Sequence, residues 1–278
     1  MRLSTKIVLG IILSLLLLSL GFIIGFSFTD RVNYKWDSND HIKNIPQENM
    51  TLVEVNPYRT VLLEMKEGNN EYNVYPQGSL YVGPVTETEK HNHLYMPEEL
   101  LEYTEIVSQN DTLIIRVKMK NLNDKYYTNE DNRKGRIFTQ ISGFNFYIYT
   151  TDVDAINNGL SRINIDVKEI ENNSIKIHSV CDIFIHKCKT KVIEPSGNGH
   201  ICKITESKTQ ELNIDLDNIS TNWIVENCEI DVENLTGSDY RDVQLSKSEA
   251  KVMNWIPKRK EAKLTIRLHG DTTKVVFQ

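Results

Sequence analysis

The feature that most constrains this chain is a two-residue alternation that keeps restarting. From Ile137 onward the sequence passes through short runs such as "RINIDVKEI", "SIKIHSV", "DIFIHKC", "ELNIDLDNI", "CEIDVEN" and "AKLTIRLHG". Branched aliphatics occupy every second position, so one face of each run is apolar and the other polar, the pattern of a half-buried strand. Asn, Asp, Ser, Gly and Lys separate the runs. Such a composition favours strands and turns over long helices.

The runs also recur at nearly even intervals along the chain. Ile163, Ile183, Ile201, Trp223, Val243 and Leu264 form one such series, and Ile175, Val192, Leu212, Ile230 and Val252 form a second. A coil of that length holding two or more strands, stacked on the next at ~4.8 Å, buries a column of aliphatics. The expected fold is therefore all-β, a right-handed parallel β-solenoid or β-helix-like domain. The alternative is an antiparallel β-sandwich, which would favour two-residue Asn-Gly or Asp-Gly hairpins. Those are scarce here.

Upstream, "TLVEV" and "RTVLLEMKEGNNEYNVYP" read as strands, the latter pair around a Gly-Asn-Asn turn. "PEELLEYTEIV" is expected to hold a helical turn beginning at Pro97, and "TLIIRVKMKNL" a strand. Residues 121–136, "NLNDKYYTNEDNRKGR", are polar and expected to form an exposed loop.

The phrase "EPSGNGHICKI", containing Ser196-Gly197-Asn198-Gly199, resembles the repeated Ser-Gly-x-Gly unit of the head GIN domain family, also described as autotransporter adhesin heads. "VEVNPYRTVLLEMKEGNN" and "LEYTEIVSQNDTLIIRVK" are similar to the strand entry of that family. The resemblance covers about residues 50 to 278. "TGSD" at 236–239 is a degenerate second copy of the unit, and the family's Tyr-x-Gly ending is absent. The resemblance implies a solenoid-like fold and an adhesive or structural role in the bacterial envelope, with no catalytic residues to carry over.

The beginning of the chain obeys different chemistry. From Ile7 to Phe26 there is no charge, and fifteen of twenty residues are Leu, Ile, Val or Phe. At ~1.5 Å per residue the run reaches ~30 Å, the thickness of a hydrocarbon core. A helix apolar on every face belongs in lipid. A cleaved signal peptide is the competing reading, but its apolar region is usually shorter, and "GFSFTDRVNY" has no small-x-small cleavage site. The expected organisation is a membrane anchor at 1–28, a polar stalk at 29–49 and a β-rich domain at 50–278, its coils clearest at 137–278. A long domain after one N-terminal span is expected to be exported, which places it on the periplasmic side of a bacterial inner membrane. The net charge of −6 argues against a nucleic-acid partner, because phosphates need a cationic excess.

Three constellations could carry chemistry. "HSVCDIFIHKC" gathers His178, Cys181, His186 and Cys188, but its spacing lacks the tight pairs of a zinc site. His186 and Cys188 are expected on one strand face, with Ile183 and Ile185 on the other. Surface histidines beside an inward isoleucine ladder are the favoured reading, and neither a metal nor a cofactor is expected. Cys181 and Cys202 stand one coil apart, close enough in a stacked fold for a disulfide. Buried free thiols are preferred, because cysteine is a small residue that packs well.

The acidic pairs Asp152/Asp154, Asp215/Asp217 and Asp231/Glu233 are i, i+2 neighbours and should share strand faces. Such pairs could bind calcium or serve as acid and base in a carbohydrate-active β-helix enzyme. The preferred reading is the solvent side of alternating strands. Tyr126, Tyr127, Tyr147 and Tyr149 could stack on sugars, whereas Phe144, Phe146, Trp223 and Trp255 read as core or coil-end caps. The function expected is a membrane-tethered, non-enzymatic envelope protein with an adhesive, structural or partner-binding role. The partner is an envelope protein or a glycan. The alternatives are the carbohydrate enzyme and a sensor ectodomain.

Overall fold

The computed structural model describes residues 42–66, 72–85, 93–127, 138–150, 152–219, 222–246 and 250–269. These lie in one compact unit, His41–Gln278. The expected anchor Ile7 to Phe26 falls outside the described residues. Among those described, no helix is long and apolar enough to cross a membrane.

The first half contains β1 (Ile42–Asn44), β2 (Met50–Glu54), β3 (Thr60–Met65), β4 (Val74–Gly83), β5 (His93–Pro97), α1 (Leu100–Tyr103), β6 (Thr104–Gln109), β7 (Thr112–Val117), α2 (Met119–Tyr126) and β8 (Thr139–Tyr149). The second contains β9 (Ala155–Asn158), β10 (Ile163–Lys168), β11 (Glu171–Ser179), β12 (Ile183–His186), β13 (Lys189–Ser196), β14 (Ile201–Thr205) and β15 (Lys208–Asp215). It continues with β16 (Asn222–Glu226), β17 (Glu229–Gly237), β18 (Arg241–Ser246), β19 (Ala250–Pro257) and β20 (Leu264–His269). The protein is all-β with mixed sheets.

From β9 to β17 the strands alternate between two sheets. One sheet runs β16-β14-β12-β10-β4-β8-β5-β2, with β1 added to β8, and the other runs β19-β17-β15-β13-β11-β9-β3-β7-β6. β18 and β20 pair separately. Both large sheets contribute to one buried core. Two sheets enclosing one core have the layering of a sandwich, the alternative expected above. Yet every described pairing from β9 to β19 is parallel, each strand bonding the one two places along. Antiparallel pairs are confined to β2–β5, β5–β8 and β6–β7.

The ladder defines the true period. Ile165, Ile183, Cys202 and Trp223 stand in register one after another across the first sheet. Ile175, Ile193, Leu212, Glu233 and Met253 form the matching row of the other sheet. Of the aliphatic anchors read from the sequence, Ile183, Trp223, Ile175 and Leu212 fall in these rows, whereas Ile163, Ile201, Val192, Ile230 and Val252 lie a few positions away. The slip arises because coil length varies, and the nearest branched aliphatic is not always the residue in register. Nearly every member of the rows is buried, each large aliphatic contributing about 1.5–3 kcal/mol. Cys202 stands in register with Trp223, and both are buried.

Two corners repeat in every coil. At the first, Glu169, Lys187, Glu206 and Asn227 adopt left-handed backbone with φ between 49° and 55°. The turn aims each amide at the next coil: Glu169 N donates to His186 O at 2.9 Å, Lys187 N to Thr205 O at 3.0 Å and Glu206 N to Glu226 O at 3.0 Å. It also swings the following residue inward, so Cys188 and Cys228 are buried, as is Ser207. At the second corner the ladder skips Asn173, Lys191, Gln210, Asp231 and Lys251. Both strands of each pair skip one residue here, so the register is kept while the backbone bends and the inward alternation resets.

Three upstream expectations change. The 121–136 segment is not all loop: α2 extends to Tyr126 because Met119 and Leu122 bury one helical face. β3 and β4 both form but lie in different sheets, so they are not a hairpin. The folded region starts before Met50, within the expected stalk, since Ile42–Asn44 pairs with Gln140–Ser142 and Ile45 is buried. The hairpin that does occur joins β6 to β7 through Asn110-Asp111, both at positive φ. That is the conformation of a type I′ turn.

Candidate functional site

The second sheet turns two polar rows outward at the C-terminal ends of its strands. In one, Asn213 is in register with Asn234 and Asn254. Asn234 Nδ2 donates to Asn213 Oδ1 at 2.8 Å, and Asn254 Nδ2 to Asn234 Oδ1 at 2.9 Å. In the other, His178 pairs with Ser196, and Asp215 with Thr236 and Ile256. Between these rows lies a groove of ≈ 630 Å³, lined among others by Glu194, Ser196, Asn213, Asn234, Thr236 and Ile256.

One rim of the groove is built from the acidic pair Asp215/Asp217. β15 ends at Asp215, and Asn218 Nδ2 bonds back to Asp215 Oδ2 at 2.6 Å, closing a tight turn. Lys258, just past β19, reaches Asp215 Oδ1 at 2.5 Å and Asp217 Oδ2 at 3.2 Å. Arg241 Nη2 and Ser238 N also donate to Asp217 Oδ1, at 3.0 and 3.1 Å. Hydrogen bonds from Ser238, with Arg241 and Lys258 behind them, hold the Asp217 carboxyl far below the usual carboxylate range. Burial pushes Asp215 up, but bonds from Lys258 and Asn218 outweigh it and its net displacement is also downward. Both groups stay ionised. A general acid requires the opposite, a carboxyl kept protonated near neutral pH.

The other acidic pairs are dispersed. Asp154 receives Arg59 through two bonds, Nε to Oδ2 at 2.5 Å and Nη2 to Oδ1 at 3.0 Å, while Asp152 is exposed. Asp231 and Glu233 do not share a face. The corner at Asp231 intervenes, leaving Asp231 exposed beside Lys251 at 2.6 Å and Glu233 fully buried between Leu212 and Met253.

The histidines and cysteines likewise separate. His178 lies on β11 with Nδ1 3.1 Å from Ser196 Oγ, and His186 on β12 of the opposite sheet with Nδ1 2.8 Å from Thr205 Oγ1. Cys188 departs from the face expected for it. The left-handed turn at Lys187 reverses the alternation, so Cys188 faces inward while His186 stays at the surface. Cys181 and Cys202, the pair considered for a disulfide, are both free. The ladder sets Ile183, not Cys181, beside Cys202. Burial raises the thiols of Cys188 and Cys202 to about 11 and about 12. Among the described residues no three His, Cys, Asp or Glu side chains are arranged to hold a metal.

Of the aromatics, Phe144, Phe146 and Trp223 are buried in the core and Trp255 packs against it. Tyr147 stacks on Tyr81 with ring centroids 4.8 Å apart and planes 10° apart, so each ring covers a face of the other. Tyr126 donates to Glu99 Oε1 at 2.9 Å. Sequence reasoning missed Arg241, Lys258 and the asparagine row. The signal for the row was present: Asn213, Asn234 and Asn254 recur at the coil period itself.

The glycines of Ser196-Gly197-Asn198-Gly199 have a packing reason. Gly197 has φ +126°, and a Cβ there would overlap the Ser179 carbonyl; one on Gly199 would overlap the Cys181 carbonyl. The turn rests directly on the turn of the preceding coil.

Fold and groove together define an all-β, two-sheet protein with a surface cleft of mixed polar and apolar lining whose acids are tied to cations. No protein-family model matches the chain, the head GIN family included. No curated protein matches it. Among solved structures, a candidate adhesin from Bacteroides fragilis is similar at 11% identity and TM-score 0.43, covering 81% of this chain and 96% of its own. A candidate adhesin from Parabacteroides merdae gives 11% identity and TM-score 0.39, over 83% of this chain and 100% of its own. A candidate lipid-binding protein from Parabacteroides distasonis gives 9% and 0.33, over 83% and 98%.

Proposed function

We propose that this chain is a membrane-tethered, extracytoplasmic and non-enzymatic binding protein of the bacterial envelope, displaying a β-solenoid. The observation that carries the non-enzymatic part is the node Asp215–Asp217–Arg241–Lys258. Both carboxyls of the Asp215/Asp217 pair, of which Asp215 lines the groove, are held ionised by cations, and Glu194, the other carboxylate of the lining, is 3.0 Å from Lys176. Hydrolysis of a glycosidic bond needs one of two carboxyls protonated. Parallel pairing at a nearly constant interval of chain supports the solenoid reading. The uncharged run Ile7 to Phe26 supports the tether.

The carbohydrate-enzyme reading keeps one point in its favour, since Asp215 lines the groove. Incubation with polysaccharides separates the two: no new reducing ends are expected, and turnover abolished by Asp217→Asn would establish the enzyme. Protease treatment of spheroplasts, compared with intact cells, tests the location. The C-terminal domain should be digested only in spheroplasts, and N-terminal sequencing of the membrane fraction should recover Met1 or Arg2. A mature start near Ser27 would refute the anchor.

A further inference from the structure

The groove's chemistry points to a class of ligand. We infer that it binds a neutral oligosaccharide lying across the strands; this rests on the non-enzymatic binding reading and specifies what is bound.

The lining offers donors and acceptors in mixture. Asn213 and Asn234 contribute amides, and Ser196 and Thr236 hydroxyls. Each amide has two N–H donors and two acceptor lone pairs, so the bonds made along the ladder leave capacity over. A sugar hydroxyl both donates and accepts, and a surface that does the same matches it. A purely cationic or purely anionic ligand would use only half of this capacity.

Charge argues the same way. The carboxylates that line the groove already have cations: Glu194 is 3.0 Å from Lys176, and Asp215 is 2.5 Å from Lys258. An ionic ligand would have to displace one of these partners. A neutral one leaves both pairs in place.

Ile256 supplies an apolar wall, half exposed on the row that holds Asp215 and Thr236. It suits the C–H face of a pyranose ring. The asparagine row repeats once per coil, at the ~4.8 Å spacing of paired strands. A ligand with a repeating unit fits it better than a single small molecule. The site is also held in shape without ligand. Asn218 closes the turn on Asp215, and Gly197 N donates to Asn218 O at 2.5 Å, tying that turn to the neighbouring coil. Preformed sites lose less on ordering.

The test is calorimetric titration of the full chain in detergent micelles with chitotetraose, cellotetraose and, as the anionic probe, tetragalacturonate. At least one neutral tetrasaccharide should bind with a Kd of about a millimolar or tighter. Ile256→Arg, at an exposed position, should weaken it at least about tenfold, and Lys189→Ala, outside the lining, should leave it unchanged. If Ile256→Arg loses its thermal transition, Asn213→Ala reads the same site. Failure of both neutral sugars to bind, binding of tetragalacturonate alone, or binding indifferent to the groove variants would each overturn the inference. Cleavage of the bound sugar would instead overturn the non-enzymatic reading while leaving the ligand class in place.

Discussion

Lys258 Nζ stands 2.5 Å from Asp215 Oδ1, although the two are far apart in sequence. The contact joins the end of β15 to the end of β19, two coils further on, and it decides how this protein responds to acid. Asp215 and Asp217 both titrate below the usual carboxylate range in the folded state. A depressed folded pKa contributes stability that is complete above the unfolded value, near pH 4, and is lost as pH falls through the folded values. The contribution of this pair should therefore be flat from pH 7 to 5 and decline below about pH 4. Asp217→Asn should lower stability at pH 7 by about 1–3 kcal/mol and flatten the acid limb. Urea titrations at pH 7 and pH 3 would measure both effects, and an unchanged acid limb in the variant would sink the assignment.

Glu169 holds a left-handed backbone at φ 54° without the freedom of glycine. That conformation costs an L-residue about 1–2 kcal/mol, and glycine's extra chain entropy takes back part of the gain. Glu169→Gly should raise stability by up to about 1 kcal/mol, seen as a higher Tm.

Gly197 allows no such change in the other direction. Gly197→Ala would press a methyl into the Ser179 carbonyl at a φ of +126°. A loss of more than about 2 kcal/mol is expected, read as a lower urea midpoint with an unchanged slope.

Asn158 is buried and spends its amide fully. Its Nδ2 lies 3.2 Å from Leu160 O, 2.7 Å from Ile163 O and 3.0 Å from Ser179 Oγ, and its Oδ1 accepts from Leu160 N at 2.9 Å. Asn158→Ala strands these groups and should cost about 2–4 kcal/mol, with faster amide exchange at Leu160.

The thiols make a chemical prediction. With pKa values of about 11 and about 12, Cys188 and Cys202 are protonated at pH 8 and sealed in the core. Iodoacetamide should leave both unmodified in the native protein and label both after denaturation, as peptide mass spectrometry would record. Rapid native labelling of either would contradict their placement.

Part of this architecture was legible in the residues. Alternation in "KIHSV" and "DIFIH" marks strands whatever they pair with, because a side-chain period of two is a property of extended backbone alone. The nearly even recurrence of the runs was legible for a similar reason, since paired strands of like length are separated by like lengths of chain. Register was not legible. The corners at Lys187 and Asp231 each reverse or reset the alternation, and neither lysine nor aspartate announces a left-handed turn or a strand bend. Cys188 and Glu233 were therefore assigned to the wrong face.

By itself, then, the order of amino acids determined that the chain is built of short strands and how often they recur, because both follow from local backbone geometry. It also marked Ile7 to Phe26 as unlike the remainder, because hydropathy is a property of the residues themselves. Which strands pair, that β4 meets β10 across the whole of β5 to β9, and that Lys258 meets Asp215 and Asp217 were decided only in three dimensions. Those contacts depend on stacking registers, and a register is set by every corner that precedes it.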